Sequence, residues 1–308
     1  MFRFAILNSM EHSKPSVPTE TQTSMQVNRT TGKRTRKRVW LWVLAVLTGL
    51  FLMVDLFGKS RFIVQNYVIE DERITDDIRI VVVSDLHSAL YGANQSDIIK
   101  AIAQADPAAV LLDGDIFHHN GSNKNAVTLL NALADRFQCY FILGNHEYQT
   151  KQIDSVKEQI EEAGIRILDG DSVAITAGNT TVLLYGIDDG HGGKAKQLAE
   201  LARAGKERDD GEYSILAIHV PNDVKNILPL GFDLMLSGHT HGGQFRIPGV
   251  LNGLYAPGQG MFPTYGGGRY DFGKQTLIIS RGLAKVPYWL PRVFNPPELV
   301  VVTLTAKK

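Results

Sequence analysis

The chain has 308 residues, 44% of them hydrophobic, and 32 Lys/Arg against 32 Asp/Glu, enough for one large core or two small ones. Eight Lys/Arg and only two Glu fall in residues 1–38, so the remainder is net −6, which argues against a basic nucleic-acid groove as the main partner surface. A single cysteine, Cys139 in the apolar run CYFIL, excludes an intramolecular disulfide and a cysteine-rich zinc site, and reads as a small buried hydrophobe.

In chain order, residues 1–32 are rich in Ser, Thr, Asn, Gln and Pro without apolar periodicity, and with KRTRKR at 33–38 they read as a disordered basic tail, 1–38. VWLWVLAVLTGLFLMVDLFG follows at 39–58, uncharged from Val39 to Val54, close to the ~20 apolar residues that span a bilayer. A buried core helix would not be apolar on every face beyond such a tail. A cleaved signal peptide would not follow so long a polar lead, and a small-x-small cleavage site is missing. The run therefore reads as a transmembrane signal anchor in a cell membrane. Five Lys/Arg before it, against Lys59 and Arg61 after it, put the N-terminus in the cytoplasm and a domain of residues 62–308 outside.

Beyond residue 62 short apolar runs recur: IRIVVVSD (78–85), AAVLLDGD (108–115), CYFILGNH (139–146), TVLLYGID (181–188), YSILAIH (213–219), FDLMLSGH (232–239), TLIISRG (276–282) and ELVVVTL (298–304). They are rich in Val, Ile and Leu and too short for globular helices, as strands buried on both faces would be. Helical spacing separates several of them. One helix opens at Ser96 as a capping serine; another carries Ile153, Val156 and Ile160 and stops at Gly164. Strands alternating with helices predict an α/β fold of βαβ units, with a loop-rich, more antiparallel last third.

Five of these strands end in residues with metal-binding chemistry. They are Asp85 and His87 in SDLH, Asp115 in DGD, Asn145 and His146 in GNHE, His219 in AIHVPN, and His239 and His241 in SGHTHGGQ, which together use five of the nine histidines. Singly each has a plainer reading. An Asp at a strand end caps a turn, His219 is a hydrogen-bonded core histidine, and GNHE is a turn. Jointly they converge, because open α/β sheets gather their sites at the carboxyl ends of strands. Imidazole and carboxylate with one amide and no thiolate suit Mn, Fe, Zn or Co. Seven ligands are too many for one tetrahedral ion, whereas two divalent ions sharing a carboxylate can clamp both oxygens of an in-line displacement at phosphorus.

The ordered motifs D-x-H, G-D, G-N-H-[DE], H and G-H-x-H resemble those of the calcineurin-like metallophosphoesterases over most of 78–305. GHTHGGQ and NPPELVVVTL are similar to the bacterial membrane-associated or exported branch. The resemblance implies a four-layer α/β/β/α sandwich with two mixed sheets. It implies that Asp85, His87 and His241 hold one metal, that Asn145, His219 and His239 hold the other, and that Asp115 bridges. His146 is then the catalytic residue beside the phosphate, and a metal-bound hydroxide the nucleophile. One position departs from the pattern: many members read GDxxD, and here His118 stands where the last Asp orients the histidine of GNH. Either His118 or Glu147 takes that role, or His146 is held less firmly.

The expected function is membrane-anchored hydrolysis of phosphoesters, phosphodiester or lipid- and envelope-linked. The alternatives are a non-catalytic metal-binding module on the same fold, which turnover would exclude, and a nuclease, which steep salt dependence of DNA binding would favour. The partners implied are a phosphoester substrate and a lipid bilayer, not nucleic acid. Gly-rich 252–273 and VPYWLPRVF (286–294) border the mouth or pack as loops. Asp188 and Asp189 read as strand-end turn residues.

Overall fold

A computed structural model describes residues 31–58, 61–150, 152–188, 193–207, 211–285 and 292–307. Residues up to Leu50 and from Phe51 onward form separate compact units. The helix α1 (Thr31–Gly58) takes in residues 31–38, which composition assigns to the tail. Lys and Arg are good helix formers, so the apolar helix propagates back through them. Its described side chains, 36–50, are exposed. Among the described residues no helix is long and apolar enough to cross a membrane. The side chains of 51–58 and all of 1–30, on which the anchor and tail expectations also rest, lie outside the described residues.

The second unit runs β1 (Ile63–Asp71), β2 (Ile78–Val83), α2 (Ser96–Ala105), β3 (Ala109–Asp113), α3 (Lys124–Ala134), β4 (Cys139–Ile142), α4 (Asn145–Gln149), α5 (Ile153–Glu162), β5 (Arg166–Ile167), β6 (Asp171–Ala177) and β7 (Thr180–Ile187). It continues through α6 (Gly193–Glu207), β8 (Tyr213–Ile218), α7 (Val224–Ile227), β9 (Leu234–Ser237), β10 (Tyr255–Ala256), β11 (Gly260–Met261), β12 (Gly268–Phe272), β13 (Gln275–Ile279) and β14 (Glu298–Ala306). Each of the eight apolar runs contains a strand. Gly164, at φ 80, ends α5 as expected, with Ile165 N–H donating to Ile160 O at 3.2 Å. Ser96 does not cap α2. It is the first helical residue, and Gln95 takes the cap position while its side chain bonds Tyr91, Ala89 and Asn125 main chain.

Two six-stranded mixed sheets result, ordered β1-β14-β2-β3-β4-β5 and β12-β13-β9-β8-β7-β6. In the first, β2 to β5 run parallel and β14 pairs antiparallel with β2; in the second, β7, β8, β9 and β13 run parallel between antiparallel edges β6 and β12. Period-2 alternation gives each strand two apolar faces. The inner faces meet in one core, with Ile80, Leu111 and Val302 on one side and Leu184, Ile215 and Leu236 on the other. Outer faces pack against helices: Val81, Leu112 and Phe141 with Ile98, Leu129 and Ile160, and Leu216 and Met235 with Leu201 and Ile227. The layers are therefore α/β/β/α.

Candidate metal centre

Parallel strands β2, β3, β4, β8 and β9 all release their chains at one edge, and the loops there cross between the sheets. His239 N–H donates across to Asp85 Oδ2 at 3.0 Å, and His219 Nδ1 lies 2.7 Å from Asp113 O. Such close approach requires small residues. A Cβ on Gly114, which holds φ 68, would lie 2.5 Å from the His219 ring, and one on Gly144 would lie 2.5 Å from Asp115 Oδ1. The strain sits in the site itself. Asp85, His87, Asp115, His239 and His241 all have positive φ, between 46 and 69°. Each such non-glycine residue costs on the order of 1–3 kcal/mol and persists where the surroundings enforce it, typically at functional sites.

The side chains close on one another. Ligand-type atoms of Asp85, His87 and His241 lie within 4.8 Å of each other, and so do those of Asp115, His219 and His239. His219 Nε2 stands 3.3 Å from Asp115 Oδ2 and 3.8 Å from Asp85 Oδ1, while His241 Nε2 is 3.7 Å from Asp85 Oδ1 and His87 Nε2 is 3.8 Å from Asp115 Oδ2. The far side of each group is tied down. Ser84 Oγ donates to Asp85 Oδ2 at 2.6 Å, His239 N–H donates to the Asp85 carboxylate, and His219 Nδ1 meets Asp113 O at 2.7 Å. That last contact turns Nε2 of His219 inward.

Burial shapes the charge states. It lowers the pKa of His87 and His239 from 6.5 to about 3 and that of His146 to about 4, and with His87 and Arg292 nearby it puts His241 well below 6.5. These imidazoles are neutral at pH 7, the form that ligates metal. Burial also raises the Asp85 carboxyl to about 6. Asp115 and His219 behave as an ion pair. Burial works against both charges, yet their mutual attraction keeps the carboxyl low and the imidazole well above its ordinary value.

A divalent ion fits this donor set. Asn145 Oδ1 is buried without a hydrogen-bond partner, and His219 Nε2 faces two carboxylates; a cation between such atoms would satisfy them at once. Asn145 opens α4, directly ahead of His146. His146 donates its N–H to Asp115 Oδ1 at 2.7 Å, and its Nε2 is 3.9 Å from Asp115 Oδ2. All eight residues expected at the site are thus gathered at this edge.

Three neighbours take parts that the sequence reading did not give them. His119, in a loop that carries no pattern of its own, brings Nδ1 to 2.8 Å from Nδ1 of His146. Glu147, buried, accepts the N–H groups of Asp115, Phe117 and Gly144, each at 2.9 Å. Arg292 puts Nη2 3.4 Å from His241 Nδ1 and 2.7 Å from Arg281 O. His118 forms a third group with His87 and His146 at the same edge. Asp188 accepts the Tyr148 hydroxyl at 2.6 Å and belongs to none of these groups; Asp189 and 286–291 lie outside the described residues.

Comparison with known proteins agrees with this geometry. The family profile described as calcineurin-like phosphoesterase matches residues 78–243, over half of the chain. An uncharacterized metallophosphoesterase of Aquifex aeolicus is 28% identical across 86% of this chain and 98% of its own length. Another, from Campylobacter jejuni, is 30% identical across 80% of this chain and 64% of its own. A bovine transmembrane protein with metallophosphoesterase domain is 28% identical over 75% and 54% respectively. The chain belongs to the calcineurin-like phosphoesterases and is a metallophosphoesterase, a hydrolase acting on phosphoester bonds.

Proposed function

We propose that the protein is a membrane-anchored, two-metal phosphoesterase cleaving phosphodiesters or lipid- and envelope-linked phosphoesters. Asp85, His87 and His241 would hold one divalent ion (Mn, Fe, Zn or Co), and Asn145, His219 and His239 the second, with Asp115 shared. The observation that carries the reading is the pair of carboxylate–imidazole groups, Asp85/His87/His241 and Asp115/His219/His239, at a single strand edge. Ions held there would supply Lewis-acid stabilisation of phosphoryl oxygens and an activated water.

The chain's own contribution centres on His146. Its main chain is fixed on Asp115 Oδ1, and its Nδ1 is taken by His119. When His119 donates, the proton of His146 resides on Nε2, the nitrogen nearer Asp115. From there it stabilises a phosphoryl oxygen or protonates the leaving oxygen. The loops built on β9 and β14 keep bulk water from the ligand side chains, since Asp85, Asp115, His219 and His241 are buried.

Anchoring is supported by α1, whose exposed side chains include Val39, Trp40, Leu41 and Trp42 behind a basic flank, and by the word transmembrane in the bovine relative's name. This reading puts the N-terminus in the cytoplasm and the phosphoesterase unit outside. Full-length protein in detergent, stripped by chelator and reloaded with Mn, tests the function on bis-p-nitrophenyl phosphate and p-nitrophenyl phosphate. Metal-dependent turnover with preference for the diester is expected. Two bound ions without turnover on either ester would replace the enzyme by a metal-binding module.

A further inference from the structure

We propose that the loops framing the candidate metal centre form a face that seats against an anionic lipid bilayer, so that the site opens toward the membrane. Nine large apolar side chains are exposed among the described residues from 61 onward. Six of them lie at the carboxyl edge, Leu90, Ile247, Val250, Phe262 and Phe294 on loops and Met261 at the end of β11, and the rest are on β1.

Main-chain hydrogen bonds knit these loops to the ligand loop. Leu254 N–H donates to Gly243 O at 2.9 Å and Phe262 N–H to Leu254 O at 2.8 Å; Val293 N–H donates to Gln244 O at 3.1 Å and Arg246 N–H to Val293 O at 3.0 Å. Leu90 joins through Lys285, whose Nζ donates to the Leu90 carbonyl and lies 3.9 Å over the Tyr91 ring. Val250 is 82% exposed and Phe262 66%, so they protrude at loop tips instead of lining a cavity. Protruding apolar tips suit a fluid apolar medium better than a small ligand. Phe262 and Phe294 hold φ of 56 and 49°, a backbone region that bulky residues rarely occupy.

Charge and chain entry point the same way. Residues 239–268 and 281–297 carry Arg246, Arg281, Lys285 and Arg292 and no Asp or Glu, in a chain whose residues beyond 38 are net acidic. Arg281 is paired with Glu298 and Arg292 is turned inward onto Arg281 O and His241; half-buried Arg246 and Lys285 leave a positive field suited to anionic headgroups. Ile63, the first residue of β1, pairs with Glu298 in β14, and β14 runs antiparallel to β2, so β1 begins at the metal edge. Residues 59–62 separate it from Gly58, and five extended links reach no more than about 18 Å. The inference rests on the anchoring of 39–58 proposed above.

The test uses full-length protein reconstituted into vesicles of phosphatidylglycerol and phosphatidylethanolamine, with a nitroxide on Val250→Cys, Phe262→Cys or, at the opposite edge, Lys274→Cys. The native Cys139 is buried. Collision with oxygen and with a water-soluble nickel chelate is read by electron paramagnetic resonance. Lipid-like accessibility at 250 and 262 with water-like accessibility at 274 is expected. Water-like accessibility at all three overturns the face, as does failure to float with the vesicles. Spin–spin broadening would assign the face to a second copy and overturn it too. Turnover of bis-p-nitrophenyl phosphate by the same vesicles separates the claims. Lipid-like labels on inactive protein keep the face and sink the phosphoesterase reading; water-like labels on active protein do the reverse.

Discussion

The Nδ1 atoms of His119 and His146 lie 2.8 Å apart, so one ring donates and the other accepts. Loss of His146 removes a proton-transfer group worth about 10²–10⁴ in rate. His119→Ala should cost less, about tenfold, and chiefly with poor leaving groups, because p-nitrophenolate needs little protonation. His119→Asn should recover part of the loss, and metal content should stay at the parent value. A series of aryl and alkyl esters measures this; an equal loss on every ester would show that His119 does not act through leaving-group protonation.

Glu147 joins the loops after β3 and β4 by accepting three backbone N–H groups. Burial and the charge of Asp115 raise its carboxyl to about 7, against the pull of those donors. Glu147→Ala leaves the buried donors without an acceptor and should destabilise by about 3 kcal/mol. Glu147→Gln should also destabilise, since its amide brings donors toward donors. Denaturant midpoints give the comparison, and an unchanged midpoint in both variants would contradict the clamp.

Gly144 has an ordinary φ of −95°, so its substitution tests space alone. An alanine Cβ would meet Asp115 Oδ1 at 2.5 Å and its N at 2.6 Å. The Asp115 carboxylate must move, at an overpacking cost of about 1–3 kcal/mol. Gly144→Ala should lower Mn affinity at least tenfold while the far-ultraviolet circular dichroism is retained. Calorimetric titration of the stripped protein reads the affinity.

The imidazoles predict how metal-free protein responds to acid. His87 and His239 fall from 6.5 unfolded to about 3 folded, and His146 to about 4. Below pH 6.5 the unfolded chain binds protons that the native state refuses, so stability falls as pH drops through 6.5 toward 3. Asp85, raised from 3.8 to about 6, and Glu147, raised from 4.5 to about 7, act in the opposite sense between those values, but two carboxyls face four lowered imidazoles, His241 included. Thermal midpoints of stripped protein should therefore decline from pH 6.5 to 4.5. A midpoint rising over that interval would mean that these rings are protonated in the folded state.

The sequence was most readable where burial is two-sided. The runs at 78–85 and 213–219 are continuous Val/Ile/Leu because β2 and β8 are covered on both faces, and the site residues follow at their ends. β1 escaped notice because polar residues interrupt a half-exposed edge strand, and β6 because its apolar residues alternate. His119 carries no signal beyond its neighbour His118; only the path of the loop decides which ring turns inward. Ser96 misled because a serine at a helix start caps in general, whereas here a left-handed Gln95 takes that place.

Asp115 is the residue on which a shared two-ion site turns. Ions per chain, measured by mass spectrometry alongside Mn-dependent turnover of bis-p-nitrophenyl phosphate, test this in parent protein and Asp115→Asn. Two ions in the parent, with occupancy and turnover both falling in the variant, are the predicted result. One ion in the parent, or undiminished turnover in Asp115→Asn, would contradict the binuclear account.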